Sequence, residues 1–433
     1  MSGLVLGAIG FTLALLLIIA EVPVGVAMGL VGIGGAAYVL GGGGIQALVA
    51  TTFWDSFTNY TLAVLPLFVL MGQLATATGL STRLYSAMKA LVGHRPGGLA
   101  LSTIGASAGF GMICGSSLAT TATMSKLSIP EMLRAGYRAD LAGGTVAAGG
   151  TLGIMIPPST IIVLYAFIAG QSIKDLFLAA MVPAGLAVLF YALAILVQDR
   201  LNWSPTPRLA RSSNAERIGA LKDILPVFGI FGLIMGGLYG GVFTANETAA
   251  IGVLLLIGYG IVSRTLTPKI FFEAVYEAVG TSASLYMIVF GANLFNFFLS
   301  LSGLPFGLTD FFLGFQFSAL ETILVMLVIY LILGMLMDSL AMLLLTVPLF
   351  APIAQAAGID LVWFGIFVLV VVEVGLITPP VGMNLFVIKA GIPDMKMIDM
   401  WRGVTPFVVA DFIRIGLLIA LPQLVLWLPA QAH

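Results

Sequence analysis

Two short polar interruptions, each followed 40 residues later by a Pro-Pro pair, hold the chemistry this sequence can do. Ser116-Ser117, Pro130, Gly136, Gly153 and Pro157-Pro158 recur at a constant offset of 222 residues as Asp338-Ser339, Pro352, Gly358, Gly375 and Pro379-Pro380. Internal duplication explains such spacing and chance does not. Proline removes a backbone donor and clashes with the preceding turn, while glycine lets the chain turn sharply, so each motif interrupts a helix. The freed carbonyls favour a cation, and the N-terminus of a half-helix favours an anionic group. A polar tip facing an interrupted helix is therefore a natural Na⁺ site built from serine hydroxyls and backbone oxygens. Two copies make two such sites, with a substrate cavity between them.

The candidate ligands follow from the motifs. The first site takes Gly115, Ser116, Ser117, Gly153 and Pro157, and the second takes Gly334, Asp338, Ser339, Gly375, Thr378 and Pro379. For one motif alone, helix packing by small hydroxyl residues and a purely architectural Pro-Pro kink explain the residues as well. It is the pairing at equal spacing that points to ions. Asp338 stands where the first motif has Ser116, and its carboxylate is either a cation ligand or a cap for nearby amides.

Composition defines the elements that must position these residues. Hydrophobic residues make up 60% of the 433 and charged residues only 9%, far below the roughly 25% of soluble domains. The chain therefore reads as an all-α polytopic membrane protein. A net charge of −1, with basic residues scattered through loops, excludes a nucleic-acid surface. Cys114 is the single cysteine, so neither a disulfide framework nor a thiolate metal site is available. Residues 3–20 lack a basic n-region and a cleavage site, and read as a retained first span.

Full crossings are expected at 3–20, 24–40, 58–80, 138–170, 174–198, 224–241, 246–263, 270–301, 361–388 and 404–428. Segments 97–135 and 318–357 are apolar but interrupted mid-way, which suggests re-entrant hairpins. With hairpins there, 16 of the 18 Lys and Arg residues fall on the cytoplasmic side, leaving Lys174 outside and Arg414 within a span. The positive-inside rule asks for such asymmetry. Both termini then lie outside and the second repeat enters from the opposite face, making the repeat inverted. The expected organisation is a first repeat over 1–200, a cytoplasmic linker over 201–223 and a second repeat over 224–433. Helices within 1–80 and 224–301 form a scaffold, and segments 81–93 and 305–317 lie as arm helices in the interface.

Other polar residues have structural explanations. Asp411 and Arg414 are three apart on one helix and suit an ion pair, and Glu247 suits a first-turn capping position after Thr244. Glu373 is either a proton-binding group or a partner for Arg414. The only histidines are His94, in a loop, and His433, at the terminus, and no second acid accompanies Asp338. Neither a Ser-His nor an aspartyl dyad of an intramembrane protease is offered.

Taken together, Leu65-Pro66-Leu67-Phe68 with Gly72, the Gly115-Ser116-Ser117 tip, Pro130 with Gly136-Tyr137, Gly153 through Ser159, Phe243-Thr244 with Glu247, and the tip at Asp338 make the chain resemble the large membrane subunit of tripartite ATP-independent periplasmic (TRAP) transporters, the DctM type. The resemblance spans nearly the whole chain, and Asn246 is its one departure, at a span end. It implies an elevator-type ion-transporter fold with no enzymatic activity, in a bacterial inner membrane among lipids. It also implies two or more coupling Na⁺ ions with no organic cofactor, a small four-helix membrane subunit, a periplasmic substrate-binding protein and a small organic-acid substrate. With no buried arginine at either tip, groups at Ser117, Pro158, Ser159, Thr378, Pro380 and Asn384 would bind that acid. An ion channel or a proton/cation antiporter of the same architecture is the alternative, with Glu373 as its best support.

Overall fold

The computed structural model describes residues 2–41 and 43–432, and its regular elements among these residues are all helices. They form two series in the same order, the second lying 222 residues after the first. Gly3–Ile19 and Val24–Leu40 lead the first series, as Asn214–Tyr239 and Ala245–Val262 lead the second. Ile45–Thr58 and Val64–Ala77 together match the 35-residue helix Pro268–Ser302. Leu80–Val92 matches Leu304–Gly314, and the paired arms Gly98–Cys114 and Ser117–Arg134 match Ala319–Leu336 and Ser339–Ala356. The interrupted crossings Ala139–Met155/Thr160–Ala169 and Leu361–Ile377/Met383–Gly391 follow, and then the helices Ile173–Arg200 and Met397–Ala420. Among the described residues, seven helices are individually long and apolar enough to cross a membrane, or nine if each of two bent pairs counts as one. The protein is thus a multi-pass membrane protein.

Both hairpins reach the middle of a crossing and turn back. Their first arms press backbone to backbone against the interrupted helices: Gly111 lies against Gly153, and Gly334 against Gly375. A Cβ on Gly111 would sit 3.0 Å from the Gly153 Cα, and one on Gly375 would sit 2.6 Å from the Gly334 carbonyl carbon. Only glycine permits this approach, and it sets the depth of each tip beside its break. Val64–Ala77 and Leu80–Val92 meet at 60°. Leu80, Leu84 and Ala87 of the latter are buried while Thr82 and Ser86 are exposed, as suits a helix lying along an interface.

Three boundaries differ from expectation. The crossing expected at 58–80 is preceded by the helix Ile45–Thr58, obscured in the sequence by Asp55 and Ser56 in its last turn and Asn59 just past its end. Asn293 Nδ2 donates to Ser56 Oγ at 3.0 Å, tying this helix to its long counterpart. In the linker expected at 201–223, helix begins at Asn214, because Ser213 and Glu216 form a reciprocal capping box. The last crossing, expected at 404–428, is Met397–Ala420, stopped before Pro422 and followed by the short helix Gln423–Gln431.

The rest of the linker is held down. Thr206 donates its hydroxyl to Asp199 at 2.6 Å and accepts from the Gly97 amide at 2.7 Å, at the base of the first hairpin. Ser204 reaches Asp140 at 3.3 Å, and the Pro207 ring packs by Gly136 at the end of the same hairpin. The inverted arrangement makes a direct topological prediction. In a Cys114→Ser background, cysteine placed at Ser212 should react with membrane-impermeant thiol reagents only from the cytoplasmic face, and cysteine at Gln316 only from the opposite face. Labelling of both from one face would refute the arrangement.

Candidate functional site

At the first tip, the residues expected for the first ion site converge. Gly115 ends its helix in the left-handed region at φ +63°, so the chain turns close over the Pro158 carbonyl. Its own carbonyl accepts from Thr160 Oγ1 at 3.3 Å. Ser116 caps the returning arm by accepting from the Ala119 amide at 3.4 Å. Gly153 abuts the Ser116 carbonyl, where a Cβ would lie 2.6 Å from that oxygen. Pro157, Pro158 and Ser159 are buried, and the two Pro-Pro peptide bonds, Pro157-Pro158 and Pro379-Pro380, are cis. Ser159 Oγ is buried with no hydrogen-bond partner, an exception to the rule that buried polar atoms are paired.

Ser117 crosses between repeats. Its hydroxyl donates to Asn384 Oδ1 at 3.0 Å, and Asn384 Nδ2 donates to the Ala147 carbonyl at 3.0 Å. Two residues expected to share a substrate thus meet directly, one from the first hairpin and one from the second interrupted helix. Thr121, also buried with an unpartnered hydroxyl, lies on the same hairpin arm one turn from Ser117.

The second site is looser. Asp338 Oδ1 accepts from the Leu340 and Ala341 amides at 2.9 and 3.1 Å, capping the returning arm. Ser339 is half-buried beside it. Thr378 turns its hydroxyl back to the Val374 carbonyl at 2.6 Å. Gly334 and Gly375 are in contact, yet Thr378 and Pro379 are only half-buried and Pro380 is exposed, where Ile156, Pro157 and Pro158 of the first repeat are buried.

A cavity of about 330 Å³ lies at the first tip, within the range of small-molecule pockets. Ser116 and Thr160 give it polar groups from the first motif, and Leu340 comes from the returning arm of the second hairpin. The opposite wall carries Gln73, Thr76 and Thr281. These three escaped the sequence reading, although Gln73 directly follows Gly72 in an otherwise apolar crossing, a signal that could have found it. A larger groove of about 530 Å³ between Ile173–Arg200 and Met397–Ala420 is apolar and offers an organic acid little.

A buried ion cluster lies behind the breaks. Arg414 reaches Glu373 at 2.6 Å and Asp411 at 2.9 Å, and all three are essentially unexposed. Glu373 is therefore the partner of Arg414. Tyr191 donates to Asp411 at 2.8 Å and meets the Thr151 hydroxyl at 3.1 Å. Glu247 forms a reciprocal capping box with Thr244, and Asn246 donates to the Tyr60 carbonyl at 2.8 Å. His94 lies between Leu80–Val92 and the first hairpin, while His433 falls outside the described residues.

Comparison with known proteins decides the family. The family model described as "Tripartite ATP-independent periplasmic transporter, DctM component" matches residues 11–424. This chain belongs to the DctM family. The sialic acid TRAP transporter large permease protein SiaM of Vibrio cholerae is 35% identical, with 86% of each chain covered. The isethionate TRAP transporter permease protein DctMQ of Oleidesulfovibrio alaskensis is 33% identical over 91% of this DctM chain, which spans 61% of that longer protein. Among solved structures, the YdaH transporter of Alcanivorax borkumensis superposes with a TM-score of 0.61 at 15% identity, covering 88% of this chain and 89% of that one. That likeness concerns fold alone. As a DctM component, the protein is a transporter subunit and not an enzyme.

Two outcomes follow for DctM variants. On the expectation that the first tip holds Na⁺, Ser117→Ala, which also removes the Asn384 contact, should raise the Na⁺ concentration for half-maximal uptake in reconstituted vesicles while expression stays normal. An unchanged Na⁺ dependence would remove Ser117 from the site. Arg414→Ala leaves two buried carboxylates uncompensated, at about 3–5 kcal/mol, and should sharply reduce the folded yield in detergent, whereas Lys396→Ala on the exposed end should not.

Proposed function

We propose that this DctM component is the carrier of a Na⁺-coupled importer for a small organic acid in a bacterial inner membrane. A periplasmic binding protein delivers the acid, and a small four-helix subunit braces the scaffold. The observation that carries the proposal is the cavity lined by Ser116 and Thr160 of the first tip-and-break motif and by Leu340, two residues past Asp338 of the second tip. Na⁺ prefers oxygen ligands, and the first break supplies a Ser159 hydroxyl that is buried without a partner. Na⁺ at each motif adds positive charge beside the cavity, which favours an anionic guest. The printed names of two relatives, a sialic acid permease and an isethionate permease, fit an organic anion.

In this account the hairpins, interrupted helices, Ile173–Arg200 and Met397–Ala420 slide as one body against the scaffold. The cavity supports that division, because its tip side is lined by Ser116, Thr160 and Leu340 and its scaffold side by Gln73, Thr76 and Thr281. Ser116 and Gln73 orient the substrate carboxylate by donating hydrogen bonds to it. Asp338 keeps one oxygen on the amides of its arm and turns the other to the second ion. The ion pair with Arg414 gives Glu373 a structural role, which favours this reading over the antiporter alternative.

Asp338→Asn retains the capping geometry, because asparagine caps helices as well as aspartate, and removes only the charge. Uptake of sialic acid, isethionate and succinate by proteoliposomes holding the complete tripartite system should depend on Na⁺, with choline unable to replace it. The variant should fold normally, keep its small subunit and need several-fold more Na⁺. Uptake driven equally well in choline would overturn the coupling, and a variant with unaltered Na⁺ dependence would reduce Asp338 to a cap.

A further inference from the structure

The buried polar chain Thr151–Tyr191–Asp411–Arg414–Glu373 has symmetry that an isolated ion pair does not need. Thr151 and Glu373, its two ends, are related by the same 222-residue offset as the tip and Pro-Pro motifs. Each lies two residues before the glycine of its break, Gly153 or Gly375. Between them run unbroken contacts: Thr151 to Tyr191 at 3.1 Å, Tyr191 to Asp411 at 2.8 Å, Asp411 to Arg414 at 2.9 Å and Arg414 to Glu373 at 2.6 Å. All five side chains are at most 1% exposed. Because the Tyr191 proton goes to Asp411, the single Thr151 proton is shared between the Ala148 carbonyl at 2.8 Å and the Tyr191 oxygen at 3.1 Å.

We infer that this chain positions the two interrupted helices relative to one another and so couples the two Na⁺ sites, an inference that rests on the sites proposed above. A cation at the first break fixes the backbone from Thr151 to Pro157. The hydroxyl of Thr151 then holds Tyr191 in place, Tyr191 orients Asp411, and Arg414 transmits that orientation to Glu373 and the backbone leading to Gly375. Hydrogen-bonded chains in a low-dielectric interior reinforce one another, and breaking one link weakens the rest. Coupling between sites is reciprocal, so the second ion favours the first by the same factor. Thr151 and Tyr191 are positioning residues that touch neither ion.

Tyr191→Phe deletes only the hydroxyl joining the two halves and leaves the Arg414 ion pairs in place. Na⁺ binding to the purified complex with its small subunit can be followed by intrinsic tryptophan fluorescence, since Trp363 is buried on the helix that carries Glu373. Choline chloride keeps the ionic strength constant. The wild type should bind Na⁺ with a Hill coefficient approaching about 2, the limit for two sites. The variant should fall toward about 1 while still binding Na⁺, with the half-saturating concentration raised several-fold. Thr151→Val should do the same, and the double variant should be no worse than either single one, because both remove one link. A merely structural role would lower the folded yield and leave the steepness intact. Wild-type steepness in Tyr191→Phe, or in Thr151→Val should the first variant not fold, overturns the coupling. A wild type without any Na⁺-specific signal overturns the Na⁺ sites themselves.

Discussion

A helix interrupted inside a bilayer must find new partners for its freed amides and carbonyls, and most of this structure serves that requirement. The first break has the Ser116 carbonyl, Thr160 and the turn at Gly115 drawn close around it, and the second has Gly334 pressed onto Gly375. Both solutions depend on glycine, because a single Cβ at these contacts would push hairpin and crossing apart. The hairpins bring polar backbone to mid-membrane depth and need the interrupted helices to shelter it. The interrupted helices need the hairpins in turn.

The same economy applies to charge. Arg414 and its two carboxylates are removed from water, a costly arrangement. Here one guanidinium nitrogen lies against both acids and Tyr191 donates to Asp411, while Glu373 Oε1 and the Arg414 Nε and Nη1 are buried without hydrogen-bond partners. Arg414 and both its acids belong to the second repeat, and Tyr191 joins them from the first, so this one phenol ties the cluster to the other half.

Much of this architecture was legible in the sequence, because duplication repeats its most constrained positions. The tips, the breaks and the Arg414–Asp411 pair could be read from residue type and spacing. What escaped depended on neighbours distant in sequence. Ile45–Thr58 is revealed as a helix by its long counterpart Pro268–Ser302 more than by its own pattern. Gln73, Thr76 and Thr281 gain meaning only when folding places them opposite Ser116. The bond between Ser117 and Asn384 joins positions 267 residues apart, and no local periodicity encodes such a pair. Nor could the sequence say which of two partners Glu373 would choose.

The docked linker sets a mechanical limit. Pro207 packs beside Gly136 at the foot of the first hairpin, and Ser213 caps the helix Asn214–Tyr239. Only the chain from 208 to 212 lies between those anchors. Fully drawn out, the six virtual bonds from Pro207 to Ser213 reach about 20 Å. This short leash bounds the distance by which the hairpin's foot can part from the first helix of the second repeat, unless an anchor lets go. In the proposed sliding motion, travel is thus rationed by covalent connectivity as well as by packing, and the length of an unremarkable surface segment becomes a determinant of stroke.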